Sequence, residues 1–379
     1  MKKIKIIIIF MFLHGFSQEN GLIINVDSLN PFFEKLHNIK DTQKVKILHI
    51  GDSHIQGNFF TQATREILQA KFGNGGFGFI FPYNLAKTNS ETNKFINFSS
   101  DAVWQSCRIS MKSKCTTEII LGISGHGLFT ENQNFEISLE VPQNYNFNKI
   151  IIFYPNINSS FSIENDLGAA NLISVFTENQ FFKGFETFVP MDKIRIRPDH
   201  NYNYYNFNGA YIENEKYGIV YNSIGINGAK AGDFLQNPIF FEQISAISPD
   251  LLVLSFGTNE AFSEIFPQIF ISQIDTLVSK IREKCGEIPV LITTPPFSSA
   301  KKNGTWFISQ YSKNLTNCKN YAVWNLHELT QKSVLKDNVN SILAKDKIHY
   351  TQDGYRRIGG CFAETLIKHY EDFLQNLSE

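Results

Sequence analysis

The chain predicts an α/β protein: a doubly wound parallel sheet with an inserted all-β sandwich or jelly-roll domain. Three observations predict it. Residues 18–100 and 216–379 alternate short apolar runs with stretches of helical periodicity, the pattern of strands joined by crossover helices. Asp250 to Phe256 is almost continuously apolar, as a strand buried on both faces must be. Residues 101–215 lose the helical period and break into about eight short β-rich runs between Asn, Gly, Pro and Ser clusters.

Residues 1–17 read as a secretory leader. Lys2, Lys3 and Lys5 precede the apolar Ile6 to Leu13, and Gly15-Phe16-Ser17 offers small residues for cleavage. The apolar stretch is too short to span a bilayer, so the expected location is periplasmic or secreted, without stable membrane insertion. The formal net charge is −1, and the leader holds lysines but no acids. A nucleic-acid partner, which calls for a basic face, is not expected.

In the first part, 18–100, Phe32 to Ile39 is a short helix, 45–50 a strand and 60–72 a helix with Phe60, Ala63, Ile67, Leu68 and Phe72 on one side. The glycine-rich 73–78 follows a helix and lacks a terminal Lys-Ser/Thr, so it reads as a turn rather than a phosphate loop. In 101–215 the runs are 104–110, 118–123, 135–141, 149–154, 161–164, 172–177, 185–189 and 194–197. In 216–379, strands at 217–224, 250–256, 289–294 and 322–326 alternate with helices within 238–247 and at 266–284, 305–318 and 352–374, the last with Thr351 as N-cap. Five cysteines leave the pairing open. Cys107 and Cys115 are close enough to staple two strands, Cys285 and Cys318 could form a second pair, and Cys361 would stay free. No pair is spaced as CxxC, so no zinc site is expected, nor any other metal or cofactor.

Four segments carry chemistry. Gly51-Asp52-Ser53-His54 follows the strand 45–50 and leads towards a helix, which puts the Ser53 hydroxyl at a sheet's carboxyl edge, where open α/β sheets hold ligands. Ser53 needs a base. His349 is the candidate, with Asp346 three residues earlier placed to hold Nδ1 and leave Nε2 free for the serine proton. Asn259 ends the buried strand 250–256, where its amide can face a reacting carbonyl oxygen. Gly228 follows the strand 217–224, and without a Cβ its N–H can approach the same oxygen. With the Ser53 amide these form a three-donor oxyanion hole. His54, beside the nucleophile, is the candidate to touch substrate, with capping or packing as its alternative role. Asp52 reads as a structural acceptor.

Ser53, Gly228, Asn259 and His349 in this order, at successive strand ends, resemble the SGNH (GDSL-type) hydrolases. The blocks are Gly51-Asp52-Ser53, Gly228, Gly257-Thr258-Asn259-Glu260 and Asp346-Lys347-Ile348-His349. Glu260 stands where the family usually has Asp. More narrowly, Gly51-Asp52-Ser53-His54, Ile224 to Ala229 and the β-insert resemble the peptidoglycan O-acetylesterases of Gram-negative bacteria, whose insert resembles a carbohydrate-binding domain. Trp104, Tyr154, Tyr202, Tyr204 and Tyr205 are candidates to stack on sugar there, with core burial the alternative fate for each. The resemblance implies a serine esterase removing O-acetyl groups from a glycan, peptidoglycan or another polysaccharide. A glycan O-acetyltransferase with the same triad, or an inactive glycan-binding protein, are the rival expectations.

Overall fold

The computed structural model describes residues 23–378 apart from 43, 166–172, 301 and 337–341. The expected leader lies outside the described residues. Among them, no helix is long and apolar enough to cross a membrane.

A seven-stranded sheet organises the molecule. Its order is Ile23–Ile24, Ala322–Trp324, Val290–Thr293, Leu251–Ser255, Lys44–Gly51, Gly218–Gly225 and Asn74–Gly76. The first pairing is antiparallel and the rest are parallel. Side chains alternate between its faces. Val45, Ile47, Ile219, Tyr221, Leu251 and Val253 pack under the helices Asn30–His37, Phe59–Phe72 and Gln352–Ser378. Leu48, Ile50, Val220, Leu252 and Leu254 belong to a second core, shared with the helix Pro267–Cys285. Both faces are covered, which is why the strands read as continuous apolar runs.

A buried polar chain crosses this sheet. His49 joins Tyr221 Oη at 2.8 Å through Nδ1 and Ser255 Oγ at 2.6 Å through Nε2, and Ser255 Oγ meets Thr293 Oγ1 at 2.7 Å. Four adjacent parallel strands are thereby tied side chain to side chain. Burial alone pushes the His49 ring down to about 3.

The second core continues into three antiparallel sheets of five, four and three strands. Gly78–Ile80 and Asn97–Ser100, which precede residue 101, are strands of the first two. Trp104, Tyr154 and Tyr205 are buried in this core, Tyr202 is partly buried and Tyr204 is exposed. Cys107 and Cys115 form a disulfide, whereas Cys285, Cys318 and Cys361 are free. The second pairing expected from sequence is therefore absent.

One expected strand is also absent. Glu118 to Ile123 holds no strand: Glu118 and Ile123 lie in turns, with coil between them. Its backbone groups are met by amide side chains: Asn206 Oδ1 accepts from Ile120 N at 3.0 Å, Asn206 Nδ2 donates to Glu118 O, Asn208 Nδ2 to Ile120 O, and Gln243 Oε1 accepts from Ile123 N. These amides take the place of a ladder partner. The strands His126–Thr130, Tyr205–Phe207 and Gly209–Glu213 lie beyond the runs read from sequence.

Candidate active site

Strand register brings three loops together. Gly225 pairs with Gly51, and Gly51 pairs with Ser255. Three adjacent strands thus end level, and the next residues of each, Ser53, Gly228 and Asn259, emerge at one rim. Gly225 is required for this closeness, since a Cβ there would lie 2.0 Å from Gln56 N in the short helix Ser53–Gln56.

Ser53 Oγ lies 2.8 Å from His349 Nε2, and His349 Nδ1 lies 2.7 Å from Asp346 Oδ2. The other Asp346 oxygen accepts the backbone N–H groups of Ile348 and His349, each at 2.9 Å. This tight turn places Lys347 at φ 61°, left-handed for a residue with a Cβ. Its carbonyl accepts from Ser298 Oγ at 2.9 Å and from Ser299 N at 3.1 Å. Partial burial pushes the Asp346 carboxyl up, but hydrogen bonds from the His349 ring, the His349 amide and the Ile348 amide outweigh it and hold it at about 2. The side chains of His349 and Asp346 are 38% and 50% exposed, so this end of the site is open to water.

Residues 226–229 form a turn in which Ala229 N donates to Ile226 O at 3.1 Å and Gly228 has φ 80°. Asn227 is not left-handed, so the turn is type II, the form that calls for Gly at its third residue. Asn259 Nδ2 donates to Ala229 O at 2.9 Å and, more loosely, to Asp52 Oδ2 at 3.4 Å. The Glu260 carboxylate accepts from Ala231 N at 2.8 Å and from Gly257 N at 3.0 Å. Burial pushes that carboxyl up to about 7, against these two amides, with Asp233 adding to the rise.

Asp52 is 1% exposed and accepts from His54 N at 2.9 Å. Burial, with the negative charge of Glu260, pushes it up to about 8. At neutral pH it is mostly protonated, so little negative charge faces the Asn259 amide. His54 departs from the expected contact with substrate. It is buried, its Nδ1 meets Tyr355 Oη at 2.7 Å and its Nε2 meets Thr258 Oγ1 at 3.2 Å. Both ring nitrogens are engaged inside the protein, and the ring packs 5.3 Å from that of His349. Burial, and then the neighbouring His349, push His54 down to about 3, so at neutral pH it packs beside His349 as a neutral ring. Sequence reasoning missed Tyr355 and Thr258 as its partners.

Residues 196–357 match the model of the GDSL-like Lipase/Acylhydrolase family, a span that holds Gly228, Asn259, Asp346 and His349. Among solved structures, the chain is similar to one described as "Peptidoglycan O-acetylesterase in action, 5 min", at 20% identity over 90% of this chain and 96% of that one, with a TM-score of 0.70. The likeness shows a shared fold. An acetylxylan esterase from Geobacillus stearothermophilus is 18% identical over 40% of this chain and 73% of its own, with a TM-score of 0.33. A lipase/acylhydrolase from Enterococcus faecalis is 20% identical over 39% and 76%, with a TM-score of 0.32. No curated protein matches.

Proposed function

We propose that this chain, whose residues 196–357 match a GDSL-like lipase/acylhydrolase family model, is a secreted or periplasmic serine esterase that removes O-acetyl groups from a glycan, with peptidoglycan the leading substrate. The observation that carries the reading is the unbroken relay from Ser53 Oγ through His349 to Asp346, at 2.8 and 2.7 Å.

In this reading Ser53 Oγ attacks the acetyl carbonyl while His349 Nε2 takes its proton. Asp346 holds the ring by Nδ1 and stabilises the imidazolium. The tetrahedral oxyanion is met by the Ser53 and Gly228 N–H groups and by the Asn259 amide hydrogen that Asp52 holds only loosely. His349 then returns the proton to the departing sugar oxygen, leaving an acetyl-enzyme. Water, deprotonated by His349, attacks that ester and releases acetate. His54 serves as a positioning residue behind the His349 ring.

We read the β-rich region as an inserted module beside the site, with 101–215 as its main span and the strands Gly78–Ile80 and Asn97–Ser100 joining its sheets from before residue 101. The Cys107–Cys115 disulfide fits an oxidising compartment, in keeping with the expected leader. The exposure of His349 and Asp346 favours hydrolysis over an O-acetyltransferase, which gains from excluding water. A complete triad speaks against an inactive glycan-binding protein.

The test is acetate release from O-acetylated peptidoglycan compared with acetylated xylan, by wild type and Ser53→Ala. The expected outcome is faster release from peptidoglycan, lost in the variant. Equal release by Ser53→Ala would remove the nucleophile assignment, and preference for xylan would replace the substrate.

A further inference from the structure

Ser110 lies outside the parallel sheet, on a short 3-10 segment, Ile109–Lys114, of the β-rich region. The Cys107–Cys115 disulfide closes the loop that carries it. Two further bonds fasten the loop: Ile109 N donates to Gly125 O at 2.8 Å, and Lys112 Nζ donates to Gln236 O at 2.8 Å. From this platform Ser110 Oγ donates to Asn227 O at 2.7 Å. A Cβ on Gly228 would lie 3.5 Å from the Ser110 side chain, so the loop sits directly against the turn.

The peptide joining Asn227 to Gly228 is planar and trans, so its C=O and N–H point in opposite directions. Type I and type II turns differ chiefly by a flip of this central peptide. A donor fixed on the carbonyl side therefore selects which way the N–H faces. Gln56 Oε1 holds the preceding amide, Asn227 N, at 2.6 Å, but that bond leaves the 227–228 plane free to turn. Ser110 is the side chain that grips it.

We propose that Ser110 is a positioning residue for the oxyanion hole, holding the 227–228 peptide so that the Gly228 N–H faces the reacting oxygen. The disulfide-closed loop thereby makes the β-rich region part of the catalytic apparatus. This rests on the esterase reading and on Gly228 as a donor. An oxyanion donor acts mainly on the transition state, so its misalignment lowers kcat and kcat/KM together and leaves KM unchanged.

The experiment measures 4-nitrophenyl acetate turnover by the full chain as wild type, Ser53→Ala, Ser110→Ala, Ser110→Thr and Ser113→Ala, with thermal midpoints for each. Expected are a fall in kcat of about tenfold for Ser110→Ala at unchanged KM, recovery of most of it by Ser110→Thr, which keeps the hydroxyl, and wild-type turnover for Ser113→Ala, an exposed neighbour on the same loop. Replacing Cys107 and Cys115 by Ser lowers kcat in the wild-type background and adds nothing to Ser110→Ala. Turnover of Ser110→Ala within twofold of wild type, a loss that Ser110→Thr shares, or a disulfide effect that multiplies with that of Ser110→Ala overturns the proposal while the Ser53-dependent esterase stands. Wild-type turnover that does not depend on Ser53 overturns the esterase reading, and this proposal with it.

Discussion

Glu260 accepts the backbone N–H of Ala231 at 2.8 Å, and through its other oxygen it holds the N–H of Gly257. One carboxylate thus clamps the loop after Gly228 to the loop that carries Asn259. Gln in its place keeps one acceptor and turns an NH2 group on the other amide. Glu260→Gln is expected to destabilise the fold by about 1–3 kcal/mol, the usual effect of stranding a buried donor, and to lower kcat more than it raises KM. Urea unfolding and steady-state kinetics on the same preparation check both. The shorter Glu260→Asp is expected to lose one of the two contacts and to show the same direction.

Asp346 is needed as an ionised acceptor for His349 Nδ1. Asp346→Asn keeps the shape but offers an amide where a carboxylate stabilised the imidazolium. Turnover of 4-nitrophenyl acetate is expected to fall by roughly 10³–10⁴-fold with little change in KM. A loss of less than tenfold would show that the pair is ornamental.

Asn259→Ala removes the amide that the proposed mechanism sets at the oxyanion, and it leaves Ala229 O without its donor. A fall in kcat of about 10²–10³-fold is expected, with KM nearly unchanged and a modest fall in the thermal midpoint from the stranded carbonyl.

Asp52 gives a pH signature. Its raised value, about 8, means that the carboxyl is mostly neutral at pH 7, and in the proposed mechanism that neutral form is the active one. Above that pH the carboxylate draws the Asn259 amide to itself, 3.4 Å away, and sets a negative charge beside the developing oxyanion. The kcat/KM profile is expected to fall on its alkaline side near pH 8. Asp52→Asn cannot ionise and is expected to lack that fall.

The buried histidines set the acid side of stability. His49 and His54 are both held down to about 3 by burial, while an unfolded chain protonates them near 6.5. Between those values the unfolded state binds more protons than the folded one, so stability rises with pH. Their contribution is complete above about 6.5 and is lost progressively as pH falls towards 3. Urea midpoints are expected to drop from pH 7.5 to pH 5. His49→Phe is expected to show a smaller drop, from a lower starting stability because Tyr221 and Ser255 lose their partner.

Much of the parallel sheet was legible because its chemistry sits where apolar runs stop. Ser53, Gly228 and Asn259 each follow a buried strand, and a buried parallel strand announces itself by having no polar face. The β-rich region was read less well. Glu118 to Ile123 looks like a strand, yet the amides of Asn206, Asn208 and Gln243 satisfy it, and no local pattern reports partners more than eighty residues away. His54 next to the nucleophile invited a substrate role, and only the positions of Tyr355 and Thr258 reveal that it is occupied. The part played by Ser110 was invisible for the same reason: it depends on a contact across 117 residues.

Ser53 and His349 stand 296 residues apart in the chain. On the proposed mechanism, no amino-terminal fragment can therefore cleave an ester, however well its strands pair. The growing polypeptide then stays chemically inert until its carboxyl-terminal segment arrives and docks. A hydrolase assembled in this way is switched on by its own completion.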